Sequence, residues 1–441
     1  MTLDSDVAEA GEQPAGDDAP AARTRPASAP KRRTRKSPAR KPVRRALILA
    51  HRWLSLVLGL VLVVICTSGA LLVYEPEIDR ATYAEQFHAT DSPNPVTFQQ
   101  AIDAVHRADP GFAPAYVSEK GGVYILNSSD SSGGAYFVDA GTGRVNGRAN
   151  LQHGPMGFLT NLHDCGLTCE GYTGYAAWLN RPSPVAGTTA FAGMTWGAVI
   201  LALTGALLVF LAVSGVVVWF PGLTKWRHGF RVRLGKGRFA RDYDLHNVIG
   251  IVAAVPLLIW GLTGMNFEIP TLSHLWYSAT GGVDPGDDQY SMDGDGSGPA
   301  ITLDDAIGVA QARYPGARIT WISLPSEGSE YYSVDVLDGD TDLWRGSATY
   351  HGNRSIGVDA HDPTIVKVFS GPPKTVSNTI IDQWAQPTLH YGQSVNGWWR
   401  ALWFLFGLTP LALMITGLST WQFRTATKRR RKRAAAQRHA Q

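Results

Sequence analysis

Four stretches of this 441-residue chain carry no charged residue over a length that can cross a lipid bilayer: 54–74, 197–220, 248–267 and 401–421. A hydrocarbon core of about 30 Å needs roughly 20 helical residues at about 1.5 Å each. With no water in that core to satisfy backbone N–H and C=O groups, such segments must be helical. The chain therefore reads as a membrane protein with the lipid bilayer as its first partner. Its mean hydropathy near zero averages these spans with polar regions between them.

Charge orients the spans. Lys and Arg number 11 in residues 1–45, 7 in 221–242 and 8 in 423–441. The long regions 75–192 and 268–392 hold 6 each, against 12 and 17 Asp and Glu. Cytoplasmic segments near spans concentrate Lys and Arg. Both termini and the middle loop are thus predicted inside, and both long regions outside. The first apolar run is spanning length and follows a hydrophilic stretch, so no cleavable signal peptide is expected. The predicted organisation is a disordered basic tail (1–45), a helix (46–74), an outer module (75–192) and a second helix (193–220). A basic loop (221–242), a third helix (243–267), a second outer module (268–393), a fourth helix (394–422) and a basic tail (423–441) follow. The basic tails read as lying against anionic lipid rather than binding nucleic acid.

The pattern repeats. His51 precedes Ser68-Gly69 as His246 precedes Thr263-Gly264, with 18 residues from each histidine to its glycine. Trp196, Ser214-Gly215 and Trp219 match Trp398, Thr416-Gly417 and Trp421 at one constant offset. Each outer region also repeats an order. A Thr N-cap (Thr97, Thr302) leads into a helix (98–107, 303–313), a Pro-Gly stop follows, and strands come next. These are expected at 115–117, 122–127 and 135–139 in the first region and at 318–324, 330–337 and 347–350 in the second. The expected fold is a membrane α-helical bundle of four transmembrane helices from an internal duplication, with two extracytoplasmic α+β modules. Repeats of the same orientation are related by an axis along the membrane normal.

That axis gives the histidines meaning. His51 and His246 fall at the cytoplasmic ends of equivalent helices. Two imidazoles opposed across a four-helix bundle are an arrangement that ligates haem iron axially. His390, just before the fourth helix, and His163, before the second, form an outer pair, with His153 as a competitor for His163. The first half carries about 25 extra residues between His163 and Gly215. The plainer reading of each is an interfacial, hydrogen-bonded histidine. Arg52 reads either as a partner for a haem propionate or as a cytoplasmic anchor. Cys165 and Cys169, in the outer region, are expected to form a disulfide, leaving Cys66 free in the first helix. No nucleotide-binding Gly-rich loop, metalloprotease helix or nucleophile elbow is present. The cytoplasmic segments are too short for a flavin or nicotinamide domain.

The chain resembles the PepSY-associated transmembrane family of bacterial membrane proteins, which includes ferrisiderophore reductases. The matching pieces are His51-Arg52-Trp53 leading to Thr67-Ser68-Gly69; Asn161-Leu162-His163; Ser214-Gly215 through Trp219 and Pro221; Asp244-Leu245-His246 leading to Thr263-Gly264; and Leu389-His390 leading to Thr416-Gly417. The resemblance implies PepSY-like outer modules and a multi-pass protein of the bacterial inner (plasma) membrane. It implies two b-type haems, each bis-His: His51 and His246 for the inner, His163 and His390 for the outer. Electrons would pass from a quinol or cytoplasmic reductase to a ferric siderophore or another outer acceptor, in iron uptake. The competing expectation is a non-enzymatic membrane protein whose PepSY-like modules bind or regulate partners such as secreted peptidases.

Overall fold

The computed structural model describes residues 42–128, 134–220, 226–269, 271–284, 291–294, 297–338, 354–370, 375–392 and 397–440. Most of the expected basic tail, the strand expected at 347–350, His351 and Pro221 lie outside the described residues.

Four helical spans are long and apolar enough to cross a membrane. They are α1 (Pro42–Leu72), α5 (Trp196–Trp219), α6 (Arg238–Glu268) and a last span made of α10 (Gly397–Gly407) and α11 (Thr409–Ala440). The last was expected to be one helix. It breaks at Leu408 because Pro410 has no N–H to offer the Phe406 carbonyl. The Thr409 hydroxyl donates to that carbonyl instead, at 2.6 Å. α11 also continues through the basic tail expected from 423. α1 packs on α5 and α11, and α6 packs on the same two helices, so α1 and α6 stand diagonally opposed. Leu62, Leu208, Ala212, Ala253 and Leu257 fill the centre. α5 and α6 touch backbone to backbone: a methyl at Gly205 would lie 2.9 Å from the Gly261 carbonyl, and one at Gly261 2.8 Å from the Gly205 carbonyl. Small residues permit this approach, which supplies dispersion contact where lipid offers no hydrophobic drive.

Between α1 and α5 come α2 (Glu75–Thr82), α3 (Phe98–Ala108), strands β1 (Pro114–Glu119), β2 (Val123–Ser128), β3 (Ala135–Asp139) and β4 (Val145–Ala149), and α4 (Gly154–Asp164). After α6 come α7 (Thr271–Thr280), α8 (Leu303–Arg313), β5 (Arg318–Ser323), β6 (Tyr331–Leu337), β7 (Arg354–Asp359), β8 (Val366–Ser370), α9 (Val376–Thr379) and a π-helical stretch, Ile380–His390. Thr97 and Thr302 cap α3 and α8 as expected, each in a reciprocal box with Gln100 or Asp305.

The eight strands form one antiparallel sheet in the order β4-β3-β2-β1-β5-β6-β7-β8, which reads the same outward from the β1–β5 seam. Two separate modules with three strands each were expected. The seam joins them through Tyr116 opposite Ser323, Val117 opposite Ile322 and Ser118 opposite Trp321. β4, β7 and β8 were not among the expected strands: Val-Asn-Gly-Arg-Ala and Arg-Ser-Ile-Gly-Val-Asp carry few apolar residues and a glycine each, and β8, Val-Lys-Val-Phe-Ser, is a short edge strand. One sheet face carries α3 and α8 over a shared core that includes Val105, Leu303, Val117, Leu126, Ile322 and Ile356. The alternate residues Tyr116, Ser118, Ile125, Asn127 and Trp321 line a cavity that reaches into the helix bundle.

Candidate functional site

Each of the four nominated histidines meets a Ser/Thr-Gly step of a spanning helix. His51 on α1 faces Ser214-Gly215 on α5, with Nδ1 2.8 Å from Ser214 Oγ. His246 on α6 faces Thr416-Gly417 on α11, with Nδ1 3.1 Å from both Thr416 Oγ1 and the Leu413 carbonyl. His163, in the last turn of α4, faces Ser68-Gly69 on α1, with Nδ1 2.8 Å from the Ile65 carbonyl and 3.3 Å from Ser68 Oγ. His390, ending the π-helical stretch, faces Thr263-Gly264 on α6, with Nδ1 2.7 Å from Thr263 Oγ1.

The hydroxyls assign the tautomers. Each has one proton, and each donates it to a carbonyl three or four residues back in its own helix: Ser68 to Ile65, Ser214 to Leu211, Thr263 to Ile259 and Thr416 to Ala412. Only acceptor capacity remains toward the imidazole. Ser214 reaches Leu211 only at 3.4 Å and leaves both tautomers of His51 open. His163 and His246, each also beside a carbonyl oxygen, and His390, beside a hydroxyl committed to its own helix at 2.8 Å, carry their proton on Nδ1 and leave Nε2 with a bare lone pair. That is the form in which imidazole ligates a metal, with its other nitrogen anchored. The sequence marked these Ser/Thr-Gly steps as signs of repetition and did not show that their hydroxyls hold histidines.

The glycines make room for the rings. A methyl at Gly69 would lie 2.7 Å from His163 Nε2, and one at Gly417 3.3 Å from His246 Cε1. At Gly215 and Gly264 the corresponding approaches to His51 and His390 Cε1 are 3.5 and 3.8 Å.

The structure brings His163 and His390 together, with ring centroids 6.2 Å apart and ring planes at 45°. His153 is exposed as the N-cap of α4 and does not line the cavity that His163 shares with His390. His51 and His246 sit on the diagonally opposed α1 and α6. Arg52, beside His51, lies over the Trp53 ring, and its buried Nε has no hydrogen-bond partner among the described residues. Among the described residues no group of three or more His, Cys, Asp or Glu is arranged to hold a metal ion. Each candidate site is thus a pair of imidazoles.

The outer pair is braced from both halves. Cys165 and Cys169 are joined in a disulfide directly after α4, and buried Asn161 accepts a hydrogen bond from the Cys169 N–H at 3.0 Å. This short loop sits against the start of α5, where a methyl on Gly197 would strike Thr168. The insertion in the first half thus pins the turn that carries His163. On the other side Trp403 Nε1 donates to the Leu389 carbonyl at 2.8 Å and Trp399 Nε1 to the Thr388 carbonyl at 3.1 Å, with the two indoles stacked 4.0 Å apart. Trp399 read from sequence as an interfacial belt residue. Its hold on the His390 segment depends on that segment folding back over α10.

The pair opens into a cavity of about 870 Å³. Its lower part is apolar, with Leu201, Leu208, Trp260 and Trp403. Its upper part, under the sheet, is polar, with Glu75, Asp79, Lys120 and Asp164. Tyr116 and Trp321 stack across the β1–β5 seam at 4.2 Å to make the roof. Burial and the neighbouring Glu75 push the Asp79 carboxyl up to about 7.

A sequence model of the PepSY-associated TM region matches residues 48–424. No curated protein matches the chain.

Proposed function

The chain belongs to the PepSY-associated transmembrane family, and from that premise we propose that it is a haem-containing electron-transfer protein of the bacterial inner membrane. The overall change is one electron passed from a quinol or cytoplasmic reductase to a ferric chelate, such as a siderophore, on the outer face. The chelated iron goes from ferric to ferrous. His51 and His246 hold the inner haem b, and His163 and His390 the outer.

One observation carries the reading: four histidines, each with Nδ1 anchored on a Ser/Thr-Gly step, which leaves Nε2 as the nitrogen available to a metal. Ring centroids 6.2 Å apart put the two outer imidazoles close enough to share one metal ion, which His163 and His390 would hold. Two imidazoles alone under-fill a metal's coordination, and a macrocycle supplies the rest. The apolar cavity between the helices and the glycines opposite the rings suit a flat ligand. The unpartnered Arg52 Nε suits a propionate at the inner site. Iron held by two imidazoles has no open position, so such a group carries single electrons rather than binding oxygen.

The residues of the chain do the rest. Ser214, Thr416, Ser68 and Thr263 fix the ring orientation and raise the basicity of Nε2. The orientation that the Lys and Arg bias favours, with the sheet and the disulfide outside, supports an outer acceptor. The matching Ser/Thr-Gly steps and the symmetric strand order support an origin by internal duplication.

The absorption spectrum of the purified chain tests the proposal. A Soret band with a sharp α-band on reduction is expected, with two haems per chain. A colourless protein, expressed with ample haem, would return the chain to the reading of a partner-binding membrane protein.

A further inference from the structure

Three segments outside the four spans expose large apolar side chains. The insertion between the disulfide and α5 exposes Trp178, at 64%, and Val185. α7 exposes Leu275, at 59%, and Trp276. α9 and the π-helical stretch expose Val376, at 78%, and Trp384. The three segments are joined to one another. The Thr271 hydroxyl of α7 donates to the Ala190 carbonyl of the insertion at 3.2 Å. Trp276 Nε1 donates to the Ser377 carbonyl of α9 at 3.3 Å, and the Thr280 and Ser377 hydroxyls meet at 2.6 Å. All three also adjoin the same ends of the spans. The insertion runs into α5 through its N-cap Thr195, α7 begins at Thr271 after α6 ends at Glu268, and the π-helical stretch packs on α6.

Charge is nearly absent from these segments. Residues 271–283 hold no Asp, Glu, Lys or Arg, 171–196 hold Arg181 alone and 375–390 hold Asp382 alone, while such residues make up 17% of the whole chain. Contiguous apolar surface of this kind marks an interface. Continuity identifies what covers it: α5 and α6, which these segments adjoin, expose Leu203 and Val255 along spans that cross a bilayer.

We propose that the insertion, α7 and the α9–π stretch form one collar that lies in the headgroup layer of the bilayer, so that both regions between spans are partly immersed in lipid. Indole rings favour that layer because their apolar body meets acyl chains while the N–H meets polar groups. Short helices with an apolar side lie in its plane, and α7 is too short to cross a hydrocarbon core of about 30 Å. Lipid then bears directly on the stretch that ends in His390. The collar is independent of the electron-transfer reading.

The test uses the full chain with Cys66→Ala, labelled with bimane at one introduced cysteine and held one chain to a phosphatidylcholine nanodisc. The probe is phosphatidylcholine carrying a nitroxide either near the headgroup or near the end of an acyl chain. Trp178→Cys, Leu275→Cys and Val376→Cys should lose most of their emission to the shallow nitroxide and little to the deep one. Val255→Cys, at mid-span on α6, should show the reverse, and Arg107→Cys, exposed on α3, should lose none to either. Val185→Cys and Trp384→Cys are second sites on the same elements where a first variant does not fold. Collar labels that keep their emission with both nitroxides, while Val255→Cys is quenched, overturn the proposal. Shielding of these labels only when two chains share a disc also overturns it, in favour of a second copy. The measurement involves no haem, so its result is separate from the absorption spectrum that decides the electron-transfer reading.

Discussion

Thr263 Oγ1 stands 2.7 Å from His390 Nδ1 while donating its own proton to the Ile259 carbonyl at 2.8 Å. The contact makes Thr263 an acceptor and so leaves His390 Nε2 bare. Thr263→Val keeps the shape and removes the acceptor, and outer-site haem affinity should fall about 10–100-fold. Thr263→Ser should keep it. Haem content by pyridine haemochrome, with the reduction potential of the remaining haem, reads the difference. Equal behaviour of Val and Ser would remove the hydroxyl from the argument.

The glycines opposite the two outer histidines should differ in tolerance. At Gly69 a methyl would sit 2.7 Å from His163 Nε2, at the nitrogen meant to ligate. At Gly264 it would sit 3.8 Å from His390 Cε1, an ordinary contact. Gly69→Ala is therefore expected to abolish the outer low-spin signal, and Gly264→Ala to leave it. Electron paramagnetic resonance of the oxidised protein separates the two.

His51→Ala and His246→Ala should cause the same spectral loss, and the double variant little more, because the two act as one site. His390→Ala should add to either. If His51→Ala keeps full haem content and an unchanged low-spin spectrum, with the protein still folded, the inner pairing is wrong.

The disulfide follows α4 at the residue two beyond His163. Thiol labelling of denatured, unreduced protein should mark Cys66 alone. Cys165→Ser with Cys169→Ser frees the end of α4 and should weaken the outer haem while sparing the inner. Loss of both haems together would point to general unfolding instead.

Asp79 should make stability fall as pH rises. Its folded-state carboxyl lies near 7, above the ordinary carboxylate value, because of burial and Glu75, and Lys120 opposes the shift. The folded protein thus holds a proton there that the unfolded chain has lost. Between about pH 4 and pH 7 each unit of alkalinity costs stability at this site. Asp79→Asn should raise the melting temperature by a few degrees at pH 8 and leave it unchanged at pH 4. Glu75 and Lys120, with Asp164, Glu268, Tyr116 and Tyr172 lining the same cavity, are the other groups that share this field.

The sequence by itself determined the four spans, because a bilayer leaves helices as the way to satisfy an apolar backbone, and run length is local. It also determined the Thr97 and Thr302 caps and most inner strands, whose signals lie within a few residues. It nominated all four histidines through repetition, as well as the Cys165–Cys169 bridge. Tertiary structure alone decided the rest. Strands β4, β7 and β8 are short and weakly patterned and find their places only through their neighbours in the sheet, and the β1–β5 seam joins Tyr116 to Ser323, over 200 residues away. That His163 rather than His153 meets His390 follows from where α4 packs against α1, not from spacing. Ser68, Ser214, Thr263 and Thr416 looked like markers of a repeat; their hydroxyls hold histidines only because helices far apart in sequence pack face to face. The cavity is of the same kind: Asp79 on α2, Lys120 after β1 and Glu268 at the end of α6 come to line one space only when the sheet closes over the bundle.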